Sequence, residues 1–355
     1  MAYIIEYIAA QGVKSALARR KREAEAGERE KENGTKGKLA VKRRKQYQMR
    51  LPWALIAFAH AINASLNLVV TSAVVYYHIN HPGIGTICEM HAVIVWLKVC
   101  SYAFTNRDLR QTTLQDLPEA SSPALYKTCP YPRNITVGNL VYFWWAPTLV
   151  YQPVYPRSEG IRWVFVAQRI GEVICLSCVI WLASAQYAVP LLRNSVEKMS
   201  TQDIPSIAER LMKLSTISLF CWLAGFYALF QSFLNALAEV TRFGDREFYT
   251  DWWNSESIRS YWSTWNKPVY HFMKRHIYVP LVGRGVPAPV AQLIVYIFSG
   301  VLHELLVGIP THNILGMYTV VCLLNSPSPA TRCLPLILKM ADSFVLLVQE
   351  SPFSE

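Results

Sequence analysis

The sequence predicts an all-α, polytopic transmembrane helical protein with amphipathic helices at the membrane interface. Three observations point there. Hydrophobic residues make up 52% of the 355-residue chain, and mean hydropathy is positive at +0.18. Several apolar runs reach the roughly 20 residues that a helix needs to cross a hydrocarbon core. Trp and Tyr, which collect at membrane–water interfaces, number 11 and 19.

The net charge of +11 is unevenly placed, since residues 14–50 hold fourteen Lys/Arg and five Glu, 14 − 5 = +9. Aromatic residues are not interleaved with these cations, which argues against a nucleic-acid partner. A cytosolic segment facing anionic lipid fits better. The eight cysteines are scattered. Cys175 and Cys178 form a C-x-x-C inside an apolar run without a second ligand pair, so they read as packing residues.

In chain order, Tyr3–Ala10 is a short apolar run that reads as the tail of a helix. Residues 14–50 read as a mobile charged loop, because Gly27, Gly34 and Gly37 interrupt any helix. Trp53–Tyr77 and Ile87–Phe104 are the first two spans, and residues 105–135 a polar, Pro-bearing loop. Gly138–Tyr151 is too short to span comfortably and contains Pro147, which suggests an interfacial or re-entrant helix. Val164–Val189 and Leu214–Val240 span. Gln231, Asn235 and Glu239 recur every four residues, so they share one helix face, which must point at a cavity or a partner helix.

Residues 241–283 mix ten charged residues with many aromatics, the pattern of an amphipathic segment of two interfacial helices. Four spans separate it from residues 14–50, so both face one side; their excess of Lys/Arg assigns that side to the cytosol. The sequons at Asn33 and Asn134 are then cytosolic and unglycosylated. The fifth span, residues 288–310, carries His303 and Glu304 near its middle. A polar pair at that depth costs about 2–3 kcal/mol per charged group, and two readings fit it: a histidine satisfied by a neighbouring helix, or a functional site. Beyond Pro310 the pattern weakens, and Leu334–Val348 is at most a short or interfacial helix. The chain divides into an apolar start and basic loop (1–50), a membrane core (51–316) and a divergent C-terminal segment (317–355).

Two motifs decide the pair's meaning. The block Phe248-Tyr249-Thr250-Asp251-Trp252-Trp253-Asn254 resembles the F-Y-x-D-W-W-N signature of the acyl-CoA:diacylglycerol and sterol acyltransferases, within the membrane-bound O-acyltransferase superfamily. The run Phe298-Ser299-Gly300-Val301-Leu302-His303-Glu304 resembles that family's catalytic-histidine helix. Asp245–Phe248, Ser255-Glu256-Ser257, Trp265–Pro268 and the stretch Tyr131–Pro156 resemble the diacylglycerol branch more than the sterol branch.

The resemblance implies transfer of an acyl group from acyl-CoA to diacylglycerol, giving triacylglycerol in the endoplasmic reticulum membrane. His303 matches the general base, and burial would keep its imidazole neutral. Asn266 matches a position near the reacting thioester, where its amide polarises the carbonyl or holds the oxyanion. Trp265 lines the site, Tyr278 the CoA path, and Ser299 lies one turn before His303, where the family also uses a serine. Glu304 orients the imidazole or holds substrate. Phe248, Tyr249, Asp251, Trp252, Trp253 and Asn254 either touch acyl-CoA or shape its entrance, with Asp251 and the tryptophans anchoring and capping interfacial helices. Lys274 and Arg275 are placed to attract CoA phosphates.

No nucleophile elbow, no Cys with a motif-placed His and no metal-ligand spacing around His303 is present. Acyl-CoA is thus expected as a co-substrate with no further cofactor and no metal, membrane lipids as surroundings, and a homo-oligomer as an open possibility. A sterol O-acyltransferase is the alternative acceptor class. The family pattern begins before Met1 and fades after Gly316, which predicts truncation at both ends and, as an alternative of another class, a catalytically inactive membrane protein.

Overall fold

Among the residues described in this computed structural model (1–32, 53–115, 126, 128–193 and 204–314), all regular structure is helical, with one isolated bridge, Arg157 to Phe243. Helices α1 (Ala2–Glu32), α2 (Trp53–His78), α3 (Pro82–Gln115) and α4 (Val137–Trp145) are followed by α5 (Trp163–Ala183), which continues through a π turn at Ser184–Ala188. Next, α6 (Ile204–Phe226) widens into a π turn at Tyr227–Phe233 before closing as Leu234–Val240. The short helices α7 (Ile258–Thr264) and α8 (Lys267–Met273) lead through a π turn at Lys274–Tyr278 and Val279–Val282 to α9 (Ala288–His303), which runs into a π turn at Glu304–Gly308. Among the described residues, five stretches are long and apolar enough to cross a membrane: Trp53–His78, Pro82–Leu114, Trp163–Arg193, Ala208–Val240 and Ala288–Gly308. These match the five expected spans.

Three expectations need correction. Residues 14–32 are helical rather than a loop. Gly27 costs that helix only about 1 kcal/mol, and the Ala, Glu, Arg and Lys around it are strong helix formers. Likewise α3 runs to Gln115 rather than ending near Phe104, because its polar extension is buried: Asn106 and Arg110 are 0% and 3% exposed and have partners inside. Cys175 and Cys178 are exposed on α5, so they do not pack a core. The expectations for residues 33–50 and for Leu334–Val348 fall outside the described residues.

The chain forms two compact units, one of residues 1–66 and 95–155, the other of residues 67–94 and 156–355. In the first, Ala10 and Val13 of α1 pack with Tyr131 and Ile135, and with Leu17, Leu109 and Leu114 around them. Deep in this interface, Glu6 accepts from Arg110 Nη1 at 2.9 Å and lies 3.0 Å from His60 Nε2, with all three residues almost fully buried. Burial pushes the Tyr131 phenol up to about 12, against the pull of the neighbouring Arg110 cation.

The YPRN stretch and α4 are tied in by polar contacts that the sequence does not advertise. Asn134 donates to Asn106 at 2.7 Å and to the Tyr151 hydroxyl at 3.2 Å, while Asn139 donates to the carbonyls of Asn134 and Pro153. Asn134 is 1% exposed with its amide engaged, so its sequon offers no acceptor in the folded chain. Thr136 caps α4 by accepting from Asn139 N, and Lys98 Nζ donates to the carbonyls of Phe143, Trp144 and Ala146 at 2.7–2.9 Å. One buried ammonium thereby satisfies the C-terminus of a helix too short to span. Lys98→Met strips those carbonyls of their donor. It is expected to lower stability by about 2–3 kcal/mol, read as a lower midpoint for thermal unfolding in detergent; an unchanged midpoint would remove Lys98 from this role.

In the second unit, α5 packs along α6 and is stapled to it by charge. Glu239 accepts from Arg162 N, Nε and Nη2 at 2.8–3.1 Å and also pairs with Arg246. Glu172 accepts from Arg169 at 2.8 Å and from Ser232 at 2.7 Å. Asn235 Nδ2 donates back to the Gln231 carbonyl at 2.9 Å. On the polar face of α6, Glu239 is therefore engaged in packing, one of the two roles its four-residue spacing allowed, while Gln231 and Asn235 line a cleft.

Candidate active site

The site grows from the point where α6 ends. Arg242 takes a left-handed backbone (φ 55°), and Phe243 N bonds back to Ala238 O at 2.7 Å, which closes the helix. Gly244 N then donates to Pro156 O at 2.8 Å, and a Cβ at Gly244 would lie 3.0 Å from that carbonyl. Arg246, paired with Glu239 and donating to Phe243 O, holds the next turn. This delivers the signature block at Phe248 with its backbone fixed on both sides.

The block's main work is visible in two backbone bonds. Thr250 N donates to Thr264 O at 2.9 Å, and Lys267 N donates to Phe248 O at 3.0 Å. Between Thr264 and Lys267 lie only Trp265 and Asn266, so the signature brackets those two residues and sets their register. Lys267 also pairs with Glu247 at 2.6 Å, which holds the Glu247 carboxyl below the usual carboxylate range. Phe248 is buried, and the Tyr249 hydroxyl donates to Gln231 Oε1 at 2.9 Å. Burial raises the Tyr249 and Tyr261 phenols, so both remain protonated donors at neutral pH.

Trp252 is the aromatic anchor. Its ring meets Trp222, Phe226, Trp253 and Tyr261 edge-on at centroid distances of 5.2–6.0 Å. Trp253 and Asn254 are exposed, as is Asp251. Asp251 precedes the 3₁₀ turn Trp252–Asn254 but makes no side-chain cap bond, so the expected capping role is not found. Capping is done instead by Ser257 on α7 and by Asn266 on α8. Asn266 therefore has a capping role that its sequence position does not advertise. Its Oδ1 accepts from Val269 N at 3.3 Å, which directs the remaining donor, Nδ2, to other partners.

Around the block opens a cleft of about 660 Å³, lined by Phe248–Asp251 and Trp253 with Gln231, Asn235 and Arg246 across it. Gln231 and Asn235 lie on the face expected to point at a cavity or a partner helix, whereas Arg246 is not expected here. Four-residue spacing on α6 pointed to the amides, whereas nothing in the sequence distinguished Arg246 from other surface cations.

Trp265 stacks on Tyr261 at 6.3 Å and lies 6.1 Å from Trp262, which meets Tyr296 of α9 edge-on at 6.0 Å. Tyr296, Ser299 and His303 share one face of α9. The turn Lys274–Tyr278 packs against that helix, so Tyr278 is brought to the histidine's own element. On α9, His303 Nδ1 lies 2.7 Å from the Ser299 carbonyl and 3.5 Å from Ser299 Oγ. A carbonyl only accepts, so Nδ1 carries the hydrogen in this assignment and Nε2 is the unprotonated nitrogen. The Glu304 carboxylate turns toward the following turn, where a Cβ at Gly308 would lie 3.2 Å from Oε1. His303 is half-buried rather than enclosed. The turn 274–278, Val279–Val282 and Trp262 pack against α9.

His303 thus stands on a helix long and apolar enough to cross a membrane, and in the same unit the aromatic block fixes the register of Asn266. A profile described as MBOAT, membrane-bound O-acyltransferase family, matches residues 67–326, and the chain belongs to that family.

Its relatives narrow the comparison. The chain is 38% identical over 264 residues to diacylglycerol O-acyltransferase 1 of Dictyostelium discoideum, covering 74% of this chain and 42% of that protein. It is 39% identical over 255 residues to diacylglycerol O-acyltransferase 1A of Glycine max, covering 70% and 51%. The same identity and length hold for diacylglycerol O-acyltransferase 1 of Homo sapiens, at 71% and 52%. The chain thus spans about half the length of the curated relatives it matches.

Proposed function

We propose that this chain is an acyl-CoA-dependent diacylglycerol O-acyltransferase of the endoplasmic reticulum membrane. The observation that carries the reading is the His303 hydrogen bond: with Nδ1 donating to the Ser299 carbonyl, Nε2 is the unprotonated nitrogen and serves as the base. Nε2 takes the proton of the acceptor hydroxyl as its oxygen attacks the thioester carbonyl. The tetrahedral oxyanion is held by the Nδ2 donor of Asn266. Collapse breaks the carbon–sulfur bond, and the imidazolium returns its proton to the CoA thiolate. Triacylglycerol and free CoA result, with bonds and protons balanced by the two substrates alone. Diacylglycerol is favoured over sterol as acceptor by the names of the relatives and by the Asp245–Phe248, Ser255–Ser257 and Trp265–Pro268 blocks. Trp265, Tyr278 and Ser299 line the acyl-CoA side, while the signature shapes the entrance.

Asn266 provides a test that separates chemistry from capping. Asn266→Asp keeps an oxygen for the cap but loses the amide donor. It is expected to lower kcat by about 10²-fold or more with little change in acyl-CoA affinity. Asn266→Ala loses the cap as well, at a further cost of about 1 kcal/mol in stability. Full turnover in the Asp variant, measured as acyl transfer to diacylglycerol in membranes, would remove Asn266 from the reaction.

A further inference from the structure

The geometry points to the second half of α1 as a binding surface for the anionic phospholipid headgroups of the bilayer, with its cationic block at headgroup level and its acidic end in water. The starting point is where α1 is pinned. Glu6 is fixed between His60 of α2 and Arg110 of α3. His60 lies seven residues along α2 from Trp53, about 10 Å of helix. Trp53 marks the boundary end of that span, with the Arg107 and Arg110 guanidinium groups 5.6 Å and 5.4 Å from its ring. Ala10, Val13 and Leu17 pack beside Leu109 and Leu114, so α1 runs alongside the end of α3. From Glu6 to Val13 it climbs the same 10 Å or so and reaches the level of Trp53.

Side chains on the open face change character at that level. Ile4, Tyr7 and Ile8 are 52%, 45% and 54% exposed, apolar surface suited to acyl chains. Gln11, Lys14, Ser15, Arg19, Lys21 and Arg22 are exposed and polar. The order of charge is equally sharp. Residues 7–22 hold five Lys/Arg and no acid; residues 23–32 hold five Glu and two Lys/Arg. A helix lying flat on an anionic surface would press both blocks against it. A helix leaving steeply separates them by depth, with Arg19–Arg22 roughly 9–14 Å beyond Val13 and able to reach back to phosphates along their stems. Lys21 is 3.8 Å from Glu25, a pair exposed on both sides and readily exchanged for phosphate.

The test uses the full chain in nanodiscs of phosphatidylcholine alone or with phosphatidylserine at about 30%. Trypsin cuts after Lys and Arg, so each block reports on itself. In anionic discs, cleavage after Arg19–Arg22 is expected to slow at least about fivefold and to recover in about 0.5 M salt. Cleavage after Arg29 and Lys31 is expected to stay within about twofold of its rate in neutral discs. Equal protection of both blocks would mean a helix lying flat and would overturn the proposal. So would cleavage indifferent to lipid charge, which would leave α1 a solvated helix or one that meets an acidic protein.

Discussion

His303→Ala is expected to lower acyl transfer to diacylglycerol by at least about 10²-fold, the usual contribution of a positioned general base. Membrane insertion and thermal stability should be nearly unchanged, because the side chain is half-buried and bonded within its own helix turn. Ser299→Ala is the informative comparison. Its hydroxyl lies 3.5 Å from Nδ1, too long for a strong bond, whereas the carbonyl at 2.7 Å survives the substitution. If the carbonyl sets the tautomer, that variant keeps activity within about tenfold of the parent, a loss near one weak hydrogen bond. Transfer that survives His303→Ala would end the assignment of His303 as base.

The second large effect lies in the other unit. Arg110→Ala leaves the Glu6 carboxylate buried with His60 as its neighbour, and removing one member of a buried ion pair typically costs about 3–5 kcal/mol. Unfolding in detergent, followed by the accessibility of Cys100 to a thiol reagent, is expected to begin at markedly lower temperature. Glu6→Gln keeps the shape, one acceptor oxygen for Arg110 and an amide that can donate to an unprotonated His60 Nε2, and is expected to cost less. The double variant Glu6→Gln with Arg110→Met should recover part of the loss, since no charge is then left unpaired. A change under about 0.5 kcal/mol in Arg110→Ala, typical of surface positions, would contradict the buried triad.

The five spans were legible because each is an unbroken apolar run of helical length, and the ends of α2 fall within a residue of the expected ones. What stayed hidden were contacts between distant residues. Glu6 sits inside the apolar run Tyr3–Ala10 and Arg110 in what reads as a polar loop; each makes sense only beside the other. Gly27 suggested a break that its neighbours' helix propensity overrides. At the site, His303, Asn266 and the signature were legible as motif matches, but the bracket at Thr250–Thr264 and Phe248–Lys267 is made of backbone atoms and leaves no side-chain signal. The expectation of a buried His303 failed because apolar flanking residues report depth in a membrane, not enclosure by protein.

The most direct test offers membranes carrying this chain a labelled acyl-CoA with diacylglycerol and sterol side by side, in cells lacking their own acyltransferases. The account predicts labelled triacylglycerol, dependent on added diacylglycerol and lost in His303→Ala, with little labelled steryl ester. Steryl ester as the main product, or no acyl transfer from a chain shown to be folded in the membrane, would contradict it.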